Sequence, residues 1–195
     1  MGMNNKGVTL IELVIAVAIS SIVILMVGMF MNVGVNTFSS NQSEITIQQE
    51  TQKTLNQLNT WTMEATKGVA VFGSCPSYDS AYVIYYSGEE AEDNFMRVIL
   101  FKHSAKKLYA IKVNTDATFK GSEADIQSVA STMFGGAENP NRYVMCDFIS
   151  NFTADSTRIL DQIVTISLQY QVESRSSIVS TKVKLRNKPV EIPYL

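Results

Sequence analysis

The chain has 195 residues, 46% of them hydrophobic and 17% charged, with a formal net charge of -2. A near-neutral balance argues against a dedicated nucleic-acid binder, which would carry a basic excess. The averages hide an uneven distribution: no Lys, Arg, Asp or Glu occurs between Glu12 and Glu44, and that gap excludes a plain soluble globular domain.

Residues 13–31 read LVIAVAISSIVILMVGMFM, in which only Ser20, Ser21 and Gly28 depart from Ala, Val, Ile, Leu, Met and Phe. As a helix, about twenty such residues match the ~30 Å hydrocarbon core of a bilayer, which predicts a membrane-spanning segment. Lys6 lies on its amino-terminal side and the next cation is Lys53. The positive-inside tendency therefore keeps the short N-terminus in the cytoplasm and exports the chain beyond Met31. An ordinary secretory signal has an apolar core of about 7 to 15 residues and a small-residue cleavage site; this run is longer, and no such site occurs in residues 32–40. Glu12 sits inside the apolar stretch. A carboxylate at the bilayer centre costs about 2.5 to 3.5 kcal/mol, so Glu12 either lies near the cytoplasmic interface or has a partner.

The run Lys6-Gly7-Val8-Thr9-Leu10-Ile11-Glu12-Leu13, leading into the apolar segment, resembles the class III signal of type IV prepilins and pseudopilins. The resemblance implies that a prepilin peptidase cuts between Gly7 and Val8, that the new amine of Val8 is methylated, and that Glu12 is the acidic residue fifth after the cut. Phe is the commonest residue after the cut in that family, so Val8 departs from the usual pattern. The implied mechanism is assembly: the Val8 amine of one subunit meets Glu12 of a subunit already in a fibre, and two charges that are costly in an apolar environment neutralise each other. Other pilins and minor pilins, the peptidase and an inner-membrane assembly platform are the implied partners. The implied fold is α+β and type IV pilin-like, a long N-terminal helix with a membrane half and an amphipathic half, packed on an antiparallel β-sheet head.

After the apolar run the composition turns polar. Leu55, Leu58, Trp61 and Ala65 recur at three- and four-residue spacing, one stripe of an amphipathic helix. The expected organisation is a leader at residues 1–7, a helix over 8–66 with its transmembrane part at about 8–31, and an extracytoplasmic β-rich head over 67–195. Gly28 and Gly34, among Asn, Thr and Ser, suggest a break or bend in the helix, and Lys67-Gly68 reads as its stop. Strands are expected over 69–72, 81–87, 96–102, 108–113, 143–149, 163–172 and 178–186, with a short helix over 122–133 inside an insertion. Alternation such as Ile163, Thr165, Ser167 and Gln169 against Val164, Ile166, Leu168 and Tyr170 suits an antiparallel sheet with one wet face and the helical stripe covering the other. The C-terminal strand pattern, ending Leu185-Arg186-Asn187, is similar to that of PilW-like minor pilins and J-type pseudopilins.

Cys75 and Cys146 are the only cysteines. Outside the cytoplasm they are free to form a disulfide, the alternative being two buried thiols, because their spacing carries no signature. Glu89, Glu90, Glu92 and Asp93 form an acidic run without the D-x-D-x-D-G calcium pattern; it reads as a solvated turn, and no metal site is assigned. Lys182, Lys184, Arg186 and Lys188 alternate with Val183, Leu185 and Asn187, placing four cations on one strand face. They form either a patch for DNA, an anionic surface or an acidic neighbour, or a solvated edge that discourages pairing. His103 is the single histidine, and there is no nucleophile elbow, phosphate loop or ligand cluster, so neither an enzyme nor a cofactor is expected. The leading expectation is a minor pilin of a type IV pilus, held in the inner or cytoplasmic membrane before assembly into a surface fibre. The alternatives are a J-type pseudopilin of a type II secretion or competence system, a membrane-anchored binding receptor, and an anchored extracytoplasmic enzyme.

Overall fold

The computed structural model describes residues 9–87, 94–115, 121–134, 142–157, 161–172 and 175–187. It forms two compact units, Met1–Ile45 and Thr46–Leu195. Helix α1, Leu10–Met63, supplies the described part of the first unit and continues into the second.

In the first unit the apolar residues are exposed all round: Leu10, Ile24 and Phe30 are 82%, 70% and 81% exposed. A helix apolar on every side is suited to lipid or to a bundle, not to water. Of the break or bend expected there, a break does not occur: α1 runs through Gly28 and Gly34 without interruption. Each glycine weakens a helix by only about 1 kcal/mol, and with no Pro in the segment every i→i−4 bond can form. Polar side chains are satisfied locally: Ser21 Oγ donates to the Val17 carbonyl at 2.7 Å and Ser43 Oγ to that of Ser39 at 3.0 Å.

In the second unit the last turns of α1 bury one stripe. The expected Leu55, Leu58, Trp61 and Ala65 are buried, and Ile47, Thr51, Thr54 and Thr62 extend the row at helical spacing. The threonines keep partners inside, Thr51 Oγ1 lying 4.0 Å from Cys146 Sγ. Thr54 Oγ1 donates to the Met145 carbonyl at 3.0 Å, and Thr62 Oγ1 lies 2.9 Å from Tyr82 Oη.

Strands β1 (Gly68–Phe72), β2 (Ser80–Tyr86), β3 (Phe95–Lys102), β4 (Lys107–Asn114) and β5 (Arg142–Asp147) form an antiparallel sheet in sequence order. Strands β6 (Ile149–Asp155), β7 (Ile163–Val172) and β8 (Arg175–Lys184) form a second sheet, also in sequence order. Helix α2, Glu123–Phe134, lies between β4 and β5 in the chain. The single strand expected over 143–149 is therefore two strands in different sheets. Phe148, at φ 64, takes the left-handed conformation that turns the chain from one sheet to the other.

One wet face describes the second sheet, where Val164, Ile166, Leu168 and Tyr170 are buried while Asn151 and Thr153 are exposed. It does not describe the first. Tyr82 and Ile84 pack with the α1 stripe and with Phe152 and Ile166 of the second sheet, whereas Ala81, Val83 and Tyr85 pack with Ile126, Ala130 and Met133 of α2. A strand buried on both faces reads as a continuous apolar run, and Ala-Tyr-Val-Ile-Tyr-Tyr is one. Gly121, just before α2, has φ 82, and its carbonyl accepts from Tyr85 Oη at 2.9 Å; a Cβ there would come within 2.7 Å of the Tyr85 ring.

Helix α1 ends at Met63, before the Lys67-Gly68 stop expected from sequence, and Gly68 instead opens β1 at φ 129. The terminal carbonyls find partners from afar. Trp61 O accepts from Tyr86 Oη at 2.8 Å, Met63 O from the Arg186 N–H at 3.3 Å, and Ala65 O from Asn187 Nδ2 at 3.0 Å. These bonds take the place of a glycine cap.

Of the two alternatives left open for Cys75 and Cys146, a disulfide or free thiols, this layering has the second. Both thiols are free. Cys146 belongs to the core on the α1 side of the first sheet and Cys75 packs against the core on the α2 side, so the sheet stands between them. Burial pushes the Cys146 thiol above its ordinary value, opposed by hydrogen bonding to Thr51 and Thr54.

This architecture can be tested in solution. Leu58 is fully buried, and Leu58→Ala should lower the unfolding free energy of the detergent-solubilised chain by about 2 to 5 kcal/mol in a urea titration. Thiol titration of the unreduced, denatured chain should find both cysteines free, with Cys146 protected until the chain unfolds. Tyr85 is raised from the ordinary 10.0 to about 12, first by burial and then by Asp125, and burial also raises Tyr82 and Tyr86. A folded pKa above the unfolded one gives stability that is complete below the unfolded value and lost as pH rises through the folded one. Urea midpoints should thus fall from about pH 10 upward, and less steeply in Tyr85→Phe.

Candidate functional site

The start of α1 is a reciprocal cap. Thr9 N donates to Glu12 Oε2 at 2.9 Å, Thr9 Oγ1 donates to the same oxygen at 2.8 Å, and Glu12 N donates to Thr9 Oγ1 at 3.4 Å. This is a capping box: the hydroxyl residue before the helix and the acid three residues on satisfy each other's backbone donors. Thr9-Leu10-Ile11-Glu12 has the spacing such a box requires, so the helix start is written in this short run.

The box changes what Glu12 is. It is an exposed carboxylate at a helix N-terminus, with Oε2 engaged twice and Oε1 accepting no hydrogen bond among the described residues. Its hydrogen bonds to Thr9 fix its place at the start of the helix. Gly7 and Val8, the expected processing residues, lie outside the described residues, as does Lys6.

The other expected sites are scattered. Lys182 and Lys184 are exposed on β8, an edge strand of the second sheet, and Arg186 is exposed just after it; Val183 and Leu185 between them are buried. Lys188 lies outside the described residues, as do Glu89, Glu90, Glu92 and Asp93. His103 is exposed: its backbone N–H donates to Asp79 Oδ2 at 2.6 Å and its Nδ1 lies 3.1 Å from the Ser150 carbonyl. Among the described residues no group of three His, Cys, Asp or Glu side chains is placed to hold a metal. The basic row and the two cysteines are separate features of the second unit.

Residues 2–28 match the family model described as the prokaryotic N-terminal methylation motif. Neither the curated proteins nor the solved structures give a match. The matched stretch contains Gly7, Val8, the capping box and most of the apolar run, and the helix that it enters is long and apolar enough to cross a membrane. The chain therefore carries the class III signal of the type IV prepilin and pseudopilin family, on an α+β fold in which a long N-terminal helix packs against antiparallel sheets.

Proposed function

We propose that the chain is a minor pilin, a structural subunit that enters a type IV pilus through α1 and presents residues 67–195 for contacts with other subunits, a surface or DNA. Prepilin peptidase cuts between Gly7 and Val8, Val8 is methylated, and the apolar half of α1 holds the subunit in the inner or cytoplasmic membrane until an assembly platform extracts it. One observation carries this reading: the methylation motif runs directly into a helix whose apolar window is buried nowhere in its own chain. Such a helix needs an external apolar partner, first lipid and then the helices of other subunits. In the fibre, Oε1 of Glu12 takes the methylated amine of the incoming or preceding subunit while Oε2 keeps the cap. A J-type pseudopilin of a secretion or competence system would use the same helix, and loss of surface fibres or of secretion on deletion separates the two.

Mass spectrometry of the mature protein should find a chain beginning at methylated Val8; an intact Met1, or a cut beyond Ser40, rejects the reading. Glu12→Ala should be processed normally yet fail to enter the fibre. Glu12→Gln keeps the capping geometry and loses the charge. It should be excluded from the fibre like the alanine variant while retaining more helix stability, and normal incorporation of the Glu12→Gln variant would show that charge pairing is not the docking interaction.

A further inference from the structure

The connection from β1 to β2 closes on itself. Cys75 N donates to the Tyr78 carbonyl at 2.9 Å and Tyr78 N to the Cys75 carbonyl at 3.2 Å, an isolated antiparallel bridge around Pro76-Ser77. Partners directly opposite in such a bridge send their side chains to one face, and both of these pack on the α2 side of the first sheet. Their surroundings differ. Cys75 is partly exposed, in a turn where Gly73, Ser74 and Pro76 are exposed. Tyr78 is 2% exposed, and its Oη is buried with no hydrogen-bond partner among the described residues. Burial first, and the neighbouring Cys75 next, raise the Tyr78 phenol above its ordinary value, so at neutral pH it is a donor held beside the thiol.

A buried hydroxyl without an acceptor is unfavourable, because it has given up water and gained no bond in exchange. Thiol sulfur is a weak acceptor, whereas an oxygen bound to that sulfur is a good one. We propose that Cys75 is a site of oxidation by peroxide and that its sulfenic acid is held by a hydrogen bond from Tyr78. In the step, the Cys75 thiolate attacks one oxygen of hydrogen peroxide. The S–O bond forms as the O–O bond breaks, and the other oxygen leaves as hydroxide, which takes the proton given up by the thiol and becomes water. Sulfur loses two electrons and the peroxide gains them. The added oxygen is the acceptor for Tyr78 Oη.

The layering of the fold favours a stop at this product. A sulfenic acid is ordinarily consumed by a second thiol, but Cys146 belongs to the core on the other side of the sheet. Oxidation follows access as well as thiolate character, and Cys146 is only 3% exposed. Peroxide therefore reaches Cys75 and leaves Cys146 reduced. The site stands independently of the pilin reading.

The full chain in neutral detergent, treated with hydrogen peroxide and then with dimedone, which alkylates sulfenic acids, should carry its adduct on Cys75, with Cys146 unmodified in the folded chain. Cys75→Ser should carry none. Tyr78→Phe keeps the ring and removes only the hydroxyl, so its circular dichroism should match that of the parent and it should still react with peroxide. Followed by delaying the dimedone, its sulfenic acid should pass to the sulfinic acid about tenfold faster, as expected for the loss of one hydrogen bond. The adduct on the unsubstituted chain tests the site without any variant. Absence of that adduct, an adduct that survives in Cys75→Ser, a Cys75–Cys75 dimer in its place on a non-reducing gel, or an unchanged sulfenic-acid lifetime in Tyr78→Phe would each overturn the proposal.

Discussion

A single helix here has to satisfy two different solvents. From residue 13 to residue 43 α1 has no charged side chain, and its apolar groups find nothing in their own unit to lie against. From Ile47 onward the same backbone shows a narrow buried stripe and, apart from Met63, otherwise polar side chains. Burial of apolar surface is the dominant favourable term in folding, and the first stretch can gain it only from outside the molecule. The patterning of residues thus separates a part that folds by itself from a part that is completed by an environment, and the separation falls within one secondary-structure element.

In the self-sufficient unit several polar groups entering the core bring their partners with them, while Tyr78 Oη and Asn59 Oδ1 are buried without one among the described residues. Thr54 and Thr62 sit in the buried stripe, answered by the Met145 carbonyl and the Tyr82 hydroxyl. Tyr85 and Tyr86 belong to one strand and point to opposite cores, and each phenol reaches a carbonyl, that of Gly121 on one side and Trp61 on the other. Tyrosine suits such a sheet because its ring contributes area while its hydroxyl closes a bond that an unpaired backbone group would otherwise forfeit. Arg97 is handled differently, with its charge set against rings and its Nε unpaired.

Much of this is legible in the residues, and the exceptions have physical reasons. The apolar run, the helical stripe and most strands are periodic features, and periodicity survives in a single sequence. The covered second face of the first sheet is not legible because Ala-Tyr-Val-Ile-Tyr-Tyr has no alternation to show which side is wet, and the pattern of α2 does not say which surface it covers. The split at Phe148 is invisible because a positive φ at Phe has no compositional cue, unlike Gly or Asn. The end of α1 falls earlier than Lys67-Gly68 suggests because its carbonyls are closed by Tyr86, Arg186 and Asn187, partners that no local pattern reveals. Two cysteines in an exported chain suggest a bridge; the sheet between them is a tertiary fact. Glu12 reads in sequence as a docking charge; the Thr9-x-x-Glu12 spacing also carries the cue to a helix start, and the hydrogen bonds to Thr9 bear it out.

The closure of α1 by the last strand has a temporal side. Asn59 meets Thr181, and Ala65 meets Asn187, each across 122 positions of sequence. A chain leaving the ribosome from its N-terminus exposes Leu55, Leu58 and Trp61 long before β8 has been synthesised, and contacts of such long range are slow to form because loop closure must precede them. Order of synthesis and order of completion run in opposite directions, so throughout that interval an adhesive helical stripe stands uncovered.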